Sequence, residues 1–212
     1  MSRNQVIENT ISFVKEKLQN EASGHDWFHI ERVWKNTKVI GQKENVDLFI
    51  CEMAALLHDL IDDKLFSDVE KAKQEITDWL VSQKLKEDEV SHILEIITTI
   101  SFKGGNNAPV TTKEAEVVQD ADRLDAIGAI GIARCFTYAG NKGIPIYDPS
   151  ISVRNDLTVK EYREGQSTAI NHFYEKLLKL KDLMNTLTGK QLAEKRHAFM
   201  KQFLNEFFRE VK

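Results

Sequence analysis

The stretch Ala54-Ala55-Leu56-Leu57-His58-Asp59-Leu60-Ile61-Asp62-Asp63 decides how the rest of the chain is read. The run from Val46 to Leu60 is apolar on nearly every side, which predicts a helix at the centre of a helical protein. It passes straight into a histidine and three carboxylates. Charge at the end of a buried helix costs desolvation free energy unless something compensates it, and a bound cation would do so. His58 and Asp59 point about 100° apart on a helix, yet at a helix end both can reach one ion in a cleft. Further ligands must come from other segments. Upstream, His25-Asp26-Trp27-Phe28-His29-Ile30-Glu31-Arg32-Val33 supplies His29. Downstream, Asp120-Ala121-Asp122-Arg123-Leu124-Asp125 supplies Asp122, with Asp120 and Asp125 as rivals.

A helical period marks most of the remainder. Ile7, Ile11, Val14 and Leu18 share one face, as do Trp27, Ile30, Val33, Trp34, Thr37 and Ile40, and then Val90, Ile93, Leu94, Ile97 and Ile100. Ser67-x-x-Glu70, Thr111-x-x-Glu114, Thr158-x-x-Glu161 and Thr188-x-x-Gln191 have the form of capping boxes and predict four more helix starts. No segment alternates as a strand does. The expectation is an all-α bundle of about eight or more helices without significant sheet. A single domain is expected over 1–212, with a metal-site core over about 23–135 and C-terminal helices over about 158–211. Two stretches rich in turn residues, 101–112 and 140–157, read as binding loops or plain connectors.

Three prolines and ten glycines in 212 residues argue against sandwiches, barrels and long linkers. A net charge of −4 offers no basic face for a nucleic-acid polymer or a membrane surface, so an anionic substrate must be attracted locally. The first residues carry charges every few positions, unlike a signal peptide. No run approaches the roughly 18 apolar residues of a membrane span. Cys51 and Cys135 lie in apolar helical patterns and read as buried free thiols, and the chain reads as cytoplasmic.

The order His29, then His58-Asp59, then Asp122 resembles the HD superfamily of metal-dependent phosphohydrolases. The phrases "SGHDWFHIERV", "LLHDLIDDK" and "QDADRLDAIGAIGIAR" are most similar to the small bacterial YpgQ-type branch, nucleotide pyrophosphohydrolases of about this length. The resemblance implies His29, His58, Asp59 and Asp122 as ligands of one divalent ion. Asp122 is preferred to its neighbours because the family's "ADRL" phrase carries its ligand there. Mn²⁺ or Mg²⁺ is favoured, and Fe²⁺, Co²⁺, Ni²⁺ and Zn²⁺ also suit a mixed nitrogen and oxygen set. Only His92 lies between the His58-Asp59 pair and Asp122, which argues against the dinuclear branches that place extra histidines in that interval.

Asp62 and Asp63 lie four residues after His58 and Asp59, so both face the cleft if the helix continues. Similarity to HD enzymes that hydrolyse the alarmone (p)ppGpp implies Asp62 as the base that activates water, with Asp63 second. His25 and Arg32 lie one turn either side of His29, placed to meet phosphate oxygens or the leaving group. Lys103 and Lys64 would add positive charge for the substrate, and Asp26 would orient His25 or His29. Trp27, Trp34 and Trp79 read as core rather than as nucleobase platforms, although Trp27 and Phe28 flank the site and one of them could stack on a base. The implied reaction releases pyrophosphate from a nucleoside triphosphate. The alternatives are a nucleotide monophosphate phosphatase, a phosphodiesterase and a non-catalytic nucleotide-binding regulator. The C-terminal helices offer a face for a homodimer.

Overall fold

The computed structural model describes residues 1–19, 26–61, 68–100, 109–154 and 165–211. Among these residues the chain is all-α, as its periodicity predicts, and contains no strand. The helices are α1 (Arg3–Lys17), α2 (Trp27–Gly41), α3 (Leu48–Leu57), α4 (Val69–Ser82), α5 (Glu87–Thr99), α6 (Lys113–Asp125), α7 (Gly128–Lys142), α8 (Ala169–Glu175) and α9 (Leu187–Val211). Two 3-10 segments, His58–Ile61 and Leu177–Leu183, complete the order. The chain falls into two compact units, Met1–Ser101 with Ala108–Asp122 and Phe102–Asn107 with Arg123–Lys212.

In the first unit α3 is the central rod, and α1, α2 and α5 pack against it. Met53, Ala54, Ala55, Leu56 and Leu57 are wholly buried, each larger side chain contributing about 1.5–3 kcal/mol of transfer free energy. The α-helix closes at Leu57, earlier than the apolar run suggests, and tightens into the 3-10 turn that carries His58 and Asp59. Helices α4 and α5 pack on that turn. Cys51 is buried and unpaired; burial, with Glu114 and Asp47 nearby, raises its pKa and keeps it a thiol.

In the second unit α7 ends at Gly143, whose φ of 66° is the left-handed conformation that a glycine adopts freely. Helix α9 packs on α7 and on the second 3-10 segment, and Phe203 meets Phe136 and Phe173 at ring centroids of 5.8 and 5.7 Å. Glu175, buried on α8, accepts from Arg154 Nε at 2.9 Å, Arg154 Nη2 at 2.8 Å and Ser167 Oγ at 3.0 Å. Cys135 is half-buried, and burial pushes its thiol up to about 12.

Several helix starts differ from the sequence reading. Thr112 caps α6 by accepting from Ala115 N, while the Thr111 hydroxyl donates to Glu95 Oε1 at 2.8 Å. Thr186 caps α9 by accepting from Gly189 N, two residues before the expected Thr188. Thr168 caps α8, and Asp68 caps α4 through Lys71 N. Ser67 and Thr158 lie outside the described residues. Helix α7 has no start signal at all: its N-cap position is Ile127, which makes no side-chain cap bond.

Candidate metal centre

His29, His58 and Asp59 come together in the first unit, each almost wholly buried. One donor atom from each lies within 4.8 Å of the others, a spacing that can hold a metal ion. His29 sits in the first turn of α2 and points inward because it shares the buried stripe with Ile30, Val33, Thr37 and Ile40. Its Nε2 is 3.2 Å from Asp59 Oδ2 and 3.6 Å from Asp122 Oδ1. His58 Nε2 is 3.2 Å from Asp59 Oδ1 and 3.8 Å from Asp122 Oδ1.

The His58 ring reports its own tautomer. Its Nδ1 lies 2.9 Å from the Ala55 carbonyl, which can only accept, so Nδ1 carries the hydrogen. In the neutral ring the Nε2 lone pair is then turned to the carboxylates. That Nε2 is buried without a hydrogen-bond partner. A lone pair facing an anionic oxygen at 3.2 Å is repulsive unless positive charge sits between them. A divalent cation supplies that charge, so the donor set fits the ion that the sequence implies.

The same bond lies where the α-helix ends: the Ala55 carbonyl accepts from the His58 ring, and the backbone tightens to 3-10. Consecutive side chains on a 3-10 turn stand about 120° apart, so the turn, not a continuing α-helix, sets where His58 and Asp59 point.

Asp122 occupies the rim of the cluster, its side chain 30% exposed and its Oδ1 turned to both histidines. Its rivals are engaged otherwise: Asp125 pairs with Arg134 at 2.9 Å, and Asp120 is wholly buried. Arg32 lies half-buried on α2, three residues after His29. Asp26 accepts from the His29 backbone N–H at 2.9 Å and so caps α2, rather than holding the imidazole ring. His92 contacts Thr112 Oγ1 at 3.2 Å and Glu114 at 3.8 Å, away from the cluster. His25, Asp62, Asp63, Lys64 and Lys103 lie outside the described residues.

Asn36 escaped the sequence reading. It stands seven residues after His29, two helical turns on the same face of α2, and its Nδ2 donates to the Ala121 carbonyl at 3.5 Å. Gln119 Nε2 donates to the Ile100 carbonyl at 3.3 Å. The two amides tie α6 to α2 and to the end of α5, Asn36 at the peptide that leads into Asp122 and Gln119 one turn before it. The i, i+7 spacing from a candidate ligand was the available signal.

A family model for the HD domain matches residues 27–127, which span all four of these positions. YpgQ of Bacillus subtilis (strain 168) is 43% identical over 202 residues, covering 94% of this chain and 91% of YpgQ. The crystal structure of YpgQ in complex with ADP matches with a TM-score of 0.78 at 40% identity over 97% of each chain. A Lactobacillus plantarum protein matches with a TM-score of 0.89 at 41% identity, covering 98% of this chain and 97% of its own. An HD-superfamily hydrolase of Bacillus thuringiensis gives 0.78 at 46% identity, covering 99% and 98%. With this coverage, the chain belongs to the HD superfamily of metal-dependent phosphohydrolases.

Proposed function

We propose that the chain hydrolyses nucleoside triphosphates to a monophosphate and pyrophosphate at the cluster of His29, His58, Asp59 and Asp122. The observation that carries this reading is the buried His58 Nε2 turned toward the carboxylates of Asp59 and Asp122. The complex of the relative YpgQ with ADP supports a nucleotide as the ligand. A divalent ion, Mn²⁺ or Mg²⁺, would lower the pKa of a bound water and offset the charge that builds on the phosphoryl group.

The side chains divide the remaining work. His29 and Asp59, held in the buried wall, fix the inner side of the site, while Asp122 at the rim leaves its outer side open to a phosphate. Arg32 presents a guanidinium fork to non-bridging oxygens one turn along α2. Asp62, which follows the 3-10 turn directly in sequence, takes the proton from the attacking water, with Asp63 as reserve. His25 protonates the leaving group, and Lys64 and Lys103 bring charge to the phosphates. No helix among the described residues is long and apolar enough to cross a membrane, in keeping with a cytoplasmic enzyme.

The test is turnover of a nucleoside triphosphate panel by metal-stripped protein supplied with Mn²⁺, Mg²⁺, Co²⁺ or nothing, with pyrophosphate and orthophosphate measured separately. Metal-dependent pyrophosphate release that vanishes in Asp59→Ala is the expected result. Orthophosphate alone would make the chain a phosphatase, and nucleotide binding without turnover would make it a regulator.

A further inference from the structure

We infer that Phe28 is the platform on which the nucleobase of the bound nucleotide stacks, a role that rests on the nucleotide reading above. A single exposed ring needs no partner in general. What distinguishes Phe28 is its position. It is 62% exposed, next in sequence to the buried His29, at the start of α2. Helical geometry turns it about 100° from His29, off the buried stripe. On that flank the residue one turn later is Arg32, an i, i+4 neighbour about 5–6 Å away between Cβ atoms. One strip of α2 thus presents an aromatic face and a guanidinium beside the candidate ligand His29, in the order that a base and its phosphates require.

Among the described residues, the other rings of the first unit are occupied. Lys15 Nζ lies over Trp27 at 4.7 Å, and Lys38 Nζ lies over Trp34 at 3.7 Å. Trp79 stacks on Phe13 at 4.3 Å and gives its Nε1 hydrogen to Thr10. Phe49 is buried beneath Arg3. Among the described residues of this unit, Phe28 is the ring that is mostly exposed and has neither a stacking nor a cation partner.

A phenyl ring offers a face and no hydrogen bonds, so it grips any base and discriminates by stacking area alone. The consequence is broad base tolerance with purines bound more tightly than pyrimidines. The test is calorimetric titration of the Mn²⁺-loaded protein with ADP and, separately, with inorganic pyrophosphate, which has phosphates and no base. Wild type, Phe28→Ala and Phe28→Trp are compared. The Kd for ADP should rise about tenfold in Phe28→Ala and return to near the wild-type value in Phe28→Trp, with pyrophosphate affinity unchanged. An unaltered Kd for ADP in Phe28→Ala, or an equal loss for pyrophosphate, overturns the assignment. Wild-type protein that binds pyrophosphate and not ADP overturns the nucleotide reading itself.

Discussion

The Nδ1 of His58 donates to the carbonyl of Ala55 at 2.9 Å, at the point where the α-helix gives way to a 3-10 turn at the centre of the first unit. This bond leaves Nε2 as the lone pair that faces the carboxylates. Structure and ligand are therefore coupled. A cation that binds the native cluster and not the unfolded chain stabilises the fold by about 2.7 kcal/mol at a hundredfold excess over Kd. For a chain of this size that is a rise in Tm of about 5–10 °C. Scanning calorimetry with chelator and with Mn²⁺ should show this gap in the wild type and no gap in Asp59→Ala.

Asn36 acts at one remove. Its bond to the Ala121 carbonyl holds the peptide that precedes Asp122, which must approach His29 on the neighbouring helix. Asn36→Ala should weaken Mn²⁺ binding about tenfold, in line with residues that orient ligands without touching the ion. Activity measured against Mn²⁺ concentration should shift to higher concentration and recover its full kcat at saturation. A reduced kcat at saturating metal with an unshifted midpoint would exclude this role.

Asp26 caps α2 through the His29 amide. Asp26→Ala should cost about 1 kcal/mol in urea unfolding, and Asp26→Ser should restore most of it, because serine is as good a cap. If Asp26 held the imidazole ring, serine would not rescue the Mn²⁺ affinity; as a cap, it should.

Glu175 gives a pH dependence with a definite sign. Burial pushes its carboxyl pKa upward, but the bonds from Arg154 and Ser167 and the Arg154 charge outweigh burial and hold it below the ordinary value. A depressed folded pKa means that its stabilisation is present above about pH 4.5 and is lost as pH falls through the folded value. Arg154→Ala leaves a buried carboxylate unpaired and should cost about 3 kcal/mol at pH 7. Urea unfolding of wild type and variant from pH 7 to pH 3 should show the difference shrinking as the carboxyl protonates.

How much of this was legible beforehand differs by residue. The helix that carries His29 follows from a 3.6-residue spacing of apolar side chains, which burial against a common core enforces whatever the neighbours are; the helix that carries Asp122 was marked only by the capping-box form Thr111-x-x-Glu114. The meeting of His29, His58 and Asp59 was legible through the family resemblance that their order carries, because those residue types in that order mark the family. Features that depend on local bonds were not. The α-helix that leads to His58 gives way to a 3-10 turn at the residue whose ring bonds the Ala55 carbonyl, and no period records that change. Thr111 and Thr112 are adjacent candidates for one cap, and sequence alone does not separate the Thr112 that accepts from Ala115 N from the Thr111 that donates to Glu95. Helix α7 begins without a capping side chain, so it gave no start signal to read.

The most direct measurement is titration of metal-stripped protein with Mn²⁺, followed by electron paramagnetic resonance of the free ion, for wild type and Asp59→Ala at matched folded fraction. The account predicts saturable binding in the wild type, with Kd raised more than about a hundredfold in the variant, since Asp59 faces both histidines at 3.2 Å. Equal Mn²⁺ affinity in the two proteins would contradict the assignment of this cluster as the metal centre.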